Sequence, residues 1–138
     1  MNINWGAIIA ATVLQFIWGA VWYTALFGKM WGKIHGFDKL SKDVQEKMMK
    51  GMGPIYGIQF GITLLTTIVL AIFVAYQPSW NAYAMAGFFW IGFVVPTQTS
   101  SVLFGGTEPR WMWKKIAVQA GASLGSLEIA TMVLSMWR

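Results

Sequence analysis

The stretch Trp113–Trp137 reads WKKIAVQAGASLGSLEIATMVLSMW: two lysines near its start, one glutamate at position 128, and no other charge. A helix crosses the hydrocarbon core of a bilayer in about 20 residues at 1.5 Å per residue, and this stretch is long enough to do so. Glu128 then falls near its middle. An ionised acid at that depth costs about 2.5–3.5 kcal/mol on the lenient insertion scales, so the carboxyl must be protonated, paired or turned toward a polar cavity. Glu128 is the leading candidate for a functional residue.

The rest of the chain has the same character. Of 138 residues 57% are hydrophobic and 11% charged, and the mean hydropathy is +0.55, against roughly 25% charged in an ordinary soluble domain. Four apolar segments stand out: Asn4–Phe27, Gly53–Tyr76, Ala82–Phe104 and Lys115–Trp137. They are continuous and lack the period-2 alternation of a transmembrane β-strand. The expected fold is all-α, a polytopic membrane protein with four transmembrane helices in a bundle, a single domain over residues 1–138. Met1–Trp5 has no basic region of the signal-peptide kind, and no small-residue cleavage pattern follows, so no cleavable leader is expected. With no cysteine there is neither a disulfide nor a thiolate ligand or nucleophile.

The net charge of +5 is unevenly placed. Lys29, Lys33, Lys39, Lys42, Lys47 and Lys50 lie between the first and second segments, and Arg110, Lys114 and Lys115 between the third and fourth; the opposite side has only Arg138. By the positive-inside bias the basic loops 28–52 and 105–114 are cytoplasmic and both termini are outside. Aromatic residues give two belts. Trp5, Tyr76, Trp80, Tyr83 and Trp137 fall at outer ends, and Trp22, Trp31, Tyr56, Trp111 and Trp113 at inner ends. Within the first basic loop, Leu40, Val44 and Met48 at four-residue spacing, capped by Asp38 or Ser41, predict a short amphipathic helix lying on the membrane surface. The brief connection around Pro78 predicts that the second and third helices are antiparallel neighbours.

Two glycines end matching tripeptides, Leu26-Phe27-Gly28 and Leu103-Phe104-Gly105, and each is expected to end its helix in the left-handed conformation. A faint duplication is one reading of that match; biased composition is the other. Gly53, Gly57 and Gly61 form one small-residue stripe and Ala117, Gly121 and Gly125 another, the kind of surface that lets helices approach closely. Either stripe could mate within the chain or with another copy, and four short helices enclose little, so a homo-oligomer, a dimer or larger, is expected. Pro96 cannot donate to the carbonyl of Gly92, so a kink is expected there.

Every segment carries a glutamine. On centred spans Gln15 and Glu128 lie near the midplane, with Gln59, Gln98 and Gln119 about 8–10 Å toward the basic side. One reading is a water-filled vestibule ending at Glu128; the other is interhelical hydrogen bonding that only fixes packing, with Glu128 donating to a neighbour such as Gln15. Gln119 and Glu128 are about 180° apart on their helix, which limits the vestibule. On helix one, Thr12, Gln15, Gly19, Trp22 and Tyr23 share a face. His35 is the sole histidine and has no nucleophile arrangement near it, and no nucleotide loop or metal-ligand spacing occurs. The expectation is a non-enzyme with no cofactor, no metal and no nucleic-acid partner.

Gly19-Ala20-Val21-Trp22-Tyr23, then Leu26-Phe27-Gly28-Lys29 and Trp31, resembles the signature of a bacterial family called domain of unknown function 1761. The similarity extends through Gly87–Phe93, Thr97–Phe104 and the last helix. It implies a small four-helix integral membrane protein in a bacterial inner membrane, with no assigned activity and no catalytic residues to carry over. The expected function is therefore open. It is either permeation or transport of a small solute, ion or proton through Glu128, or a scaffold or accessory subunit whose polar residues hold helices together. The charge bias disfavours an exporter whose subunits insert in both orientations.

Overall fold

In the computed structural model, which describes residues 2–138 and so leaves Met1 aside, four helices are long and apolar enough to cross a membrane. We call them spans one to four: Trp5–Leu26, Gly53–Tyr76, Ala82–Phe104 and Pro109–Met136. No strand occurs among the described residues. The chain is an integral membrane protein built as a helical bundle. Spans one and three begin at asparagine caps: Asn4 Oδ1 accepts from the Ala7 amide at 3.0 Å and Asn81 Oδ1 from the Ala84 amide at 3.1 Å, answering amides that the first turn leaves unpaired. Asn4 also donates to the Trp137 carbonyl at 3.1 Å, tying the start of span one to the end of span four.

Span four is the centre of the bundle. It packs against each of the other three, extensively against spans one and three, and span one also packs against span two. Near the chain termini all four converge on one apolar cluster. Ala7, Ile8 and Ala11 meet Leu70, Ala71 and Val74, with Met85 and Ala86 of span three and Leu127, Ala130 and Leu134 of span four. Many of these are small, so the backbones lie close where hydrophobic drive between helices is absent and packing must do the work. Toward the basic loops span two separates. No side chain of span two is buried between Gly53 and Thr66, where its contact with span one runs through Phe16 and the rings of Tyr56 and Phe60 at 6.4 and 5.8 Å.

Four features differ from the sequence expectation. The left-handed glycines are Gly36 and Gly106, with φ of 71° and 77°, instead of Gly28 and Gly105. Span one ends in a π turn, Trp22–Leu26, and Gly28 opens a further helix, Gly28–Ile34. The wider turn closes its own hydrogen bond, Phe27 amide to Trp22 carbonyl at 2.9 Å, so no C-cap is required. The first basic loop accordingly holds two helices, Gly28–Ile34 and Lys42–Lys50, the second capped by Ser41 while Asp38 sits in a 3-10 turn. Spans two and three are joined by a short turn, yet beyond it their contact is carried by side chains, Phe73 against Phe89 at 4.9 Å, because span four occupies the central position.

At the expected kink, a π turn, Trp90–Val94, ends two residues before Pro96. The Val95 amide reaches back to the Trp90 carbonyl. A helix that must take in a residue with no amide hydrogen adjusts its ladder by widening one turn. Thr97 Oγ1 then donates to the Phe93 carbonyl at 2.6 Å, on the turn where the α-helix resumes.

Candidate functional site

Three indoles hold span four. Trp22 Nε1 donates to the Val118 carbonyl at 2.9 Å, Trp18 Nε1 to Ala122 at 3.0 Å, and Trp90 Nε1 to Ala120 at 2.9 Å. The carbonyls alternate along the helix, so the indoles of span one grip one side and that of span three the other. The stripe read as a helix contact is in fact the seat for the first two rings. A Cβ on Gly121 would stand 2.7 Å from Trp22 Cζ2, and one on Gly125 would overlap the Trp18 indole. Trp22 therefore faces span four and is half-buried against it. Ala117, at the end of the same stripe, is exposed. The stripe Gly53, Gly57 and Gly61 has no neighbour within 4 Å of an added Cβ and lies open on the bundle surface.

The family signature becomes a corner. Trp22 and Phe27 rings lie 4.6 Å apart, Tyr23 and Trp31 4.8 Å, and Trp31 and His35 4.4 Å. Gly28 lets this corner close: a Cβ there would press on the Tyr23 carbonyl at 3.1 Å. The motif thus specifies how span one turns into the helix Gly28–Ile34. His35 Nδ1 lies 2.8 Å from the Trp31 carbonyl, its backbone one turn earlier.

The polar residues form two separate junctions. In the first, Gln15, 4% exposed, donates through Nε2 to Thr67 Oγ1 at 2.6 Å and to the Ala11 carbonyl at 3.2 Å, and its Oε1 accepts from Ser126 Oγ at 2.9 Å. Spans one, two and four are joined at that point. In the second, Ser123 Oγ lies 3.3 Å from Gln98 Oε1 and accepts from Trp90 Nε1 at 3.2 Å, which joins spans three and four. Gln59 is exposed and reaches only Thr63 on its own helix, 3.4 Å away. Gln119 Oε1 is buried with no hydrogen-bond partner.

Glu128 belongs to neither junction. Its Oε2 is buried without a partner, and its Oε1 lies toward span three, 3.9 Å from where a Cβ on Gly87 would be. At 100° per residue Glu128 points away from Ser126 and Ala130, which face spans one and two, and shares its side of span four with Ser135, whose hydroxyl is likewise buried and unpartnered. The five polar candidates are therefore not gathered into one vestibule: Gln15 and Gln98 are engaged elsewhere, Gln59 faces outward, and the carboxyl lies on another side of the central helix. Sequence reasoning missed Thr67, Ser123 and Ser126, the short hydroxyl residues that complete the junctions. No group of three or more potential metal-ligating side chains occurs among the described residues.

With this geometry, comparison with known proteins gives one result. The chain belongs to the family described as Protein of unknown function (DUF1761), whose profile matches residues 6–135. No curated protein and no solved structure matches it.

Proposed function

For this member of the family we propose permeation or transport of a proton or small cation in which the Glu128 carboxyl is the intramembrane site. One observation carries the reading. Glu128 keeps a buried carboxyl oxygen with no protein partner, while the amide and hydroxyls of the Gln15 junction are spent on one another. A polar group at bilayer depth that has no partner in its own chain is the one available to a mobile ligand. Gly87 leaves room in front of it. The role of Gln15 and Gln98 is then to hold the spans around the site.

The rival reading, a scaffold or accessory subunit, draws on those junctions themselves. Gln15–Thr67–Ser126 and Gln98–Ser123 need no ligand to explain them. We further propose a homo-oligomer. Gly53, Gly57 and Gly61 offer it an open small-residue face. In the proposed orientation the basic loops 28–52 and 105–114 are cytoplasmic and both termini lie outside a bacterial inner membrane. No catalytic chemistry and no cofactor enter the reading.

The test is infrared difference spectroscopy of the protein in lipid from about pH 5 to 9, a range that brackets perturbed carboxyl groups, paired with ion flux into proteoliposomes. The expected result is a carboxyl band that titrates, vanishes in Glu128→Gln, and is lost together with flux while the assembly stays intact. A band silent across the range, with oligomer stability altered and no flux in the native protein, would favour the scaffold.

A further inference from the structure

A cleft of about 320 Å³ opens at the basic end, between the segment that follows the helix Gly28–Ile34 and the connection from span three to span four. Four cations line it, Lys33, Lys39, Arg110 and Lys115. One carboxylate, Glu108, also lines it and is taken by Arg110 Nε at 2.7 Å. Two helix C-termini, at Ile34 and Phe104, end beside it, and each contributes about half a negative charge. Together with Glu108 they offset only half of the four cationic charges. The cleft is a net cationic site, more than the lysines expected merely to balance helix ends.

Its depth is marked by tryptophans. Lys115 Nζ lies 5.8 Å from the centroid of the Trp31 ring, and Arg110 and Lys114 lie 5.5 and 4.9 Å from that of Trp111. Indoles concentrate at the membrane–water interface, the level of lipid phosphates. Lys115 also reaches Thr107 Oγ1 at 3.5 Å, which keeps its ammonium at the cleft wall. The left-handed Gly106 turns the chain there, so the wall carries no side chain at that residue and leaves the backbone accessible.

We propose that this cleft binds a phosphate anion at headgroup depth, the diester of an anionic phospholipid or a free phosphate of the same charge. The site is independent of Glu128 and of the direction in which the chain crosses the membrane. Native mass spectrometry of the detergent-solubilised protein, titrated with phosphatidylglycerol and with phosphatidylcholine, tests it. Phosphatidylglycerol should bind preferentially, and Lys33→Gln with Lys115→Gln should weaken it by about 30-fold. Lys42→Gln with Lys50→Gln, the same loss of charge outside the cleft, should leave it within about twofold of native. If the first pair prevents folding, Lys39→Gln takes its place, with a loss of about fivefold expected. Inorganic phosphate displacing the lipid in the millimolar range assigns the cleft to the free anion; lipid retained against it assigns the headgroup. Equal binding of the two lipids, or equal losses in the two double variants, overturns the site.

Discussion

The half of the bundle near the chain termini and the half near the basic loops solve one problem by different means. Near the termini, helices meet through alanines and branched aliphatics, four spans around a single cluster. Near the loops, span one meets span four through indoles seated on glycines and donating to its carbonyls, while span two stands apart. Close packing of small residues needs all helices present. An indole that fills a gap and satisfies its own N–H lets two helices associate while a third is free to leave. The first half is the clamp, and in the second span two has no buried side chain.

The widest separation between the halves is expected from paired truncations. Ile8→Ala, at a side chain 0% exposed, should lower unfolding stability in mixed micelles by about 2–4 kcal/mol, whereas Ile58→Ala, 66% exposed, should stay within about 0.5 kcal/mol. Equal losses would mean that span two is packed along its whole length. A second contrast uses matched glycines. Gly125→Leu must displace the Trp18 indole and should cost about 1–3 kcal/mol. Gly57→Leu should leave the isolated chain unchanged and instead weaken crosslinking between copies, since nothing within the chain lies near it. The smallest effect is expected at the boundary. Gln15→Leu removes hydrogen bonds that join three spans, and at about 0.6 kcal/mol per bond in a membrane the loss should be near 1 kcal/mol. A much larger loss would make that junction part of the clamp.

The spans were legible because crossing hydrocarbon imposes a length and a composition that few other structures need. Hydropathy reads Gly53–Tyr76 and Ala82–Phe104 with no knowledge of the neighbours. Partner choice was not legible in the same way. Gly121 and Gly57 sit in identical spacing, and only the register between span one and span four decides that an indole covers the first and nothing covers the second. Pro96 signals an interrupted ladder, yet whether it yields a bend or a π turn depends on which carbonyl the Val95 amide finds. Gln15 announced a buried amide; that Thr67 and Ser126 would answer it depends on distances between helices, which one chain's periodicity does not contain. Trp22 was ambiguous for a chemical reason, since an amphipathic ring serves equally at a headgroup boundary and against a carbonyl.

The hydrogen bond from Asn4 to the Trp137 carbonyl has a bearing on chain order. It sets the start of span one beside the end of span four, on the same side as the turn around Pro78, so the order of spans is in effect a ring open between spans four and one. A permuted chain that starts after Pro78 and runs from Arg138 through a short linker into Asn2 would keep every span in its present direction. Such chains tolerate rearrangement when their ends lie close at the surface. The permuted protein would place its new ends next to spans two and three, a pair little tied by backbone contact, and leave the seam between spans one and four as a covalent hairpin.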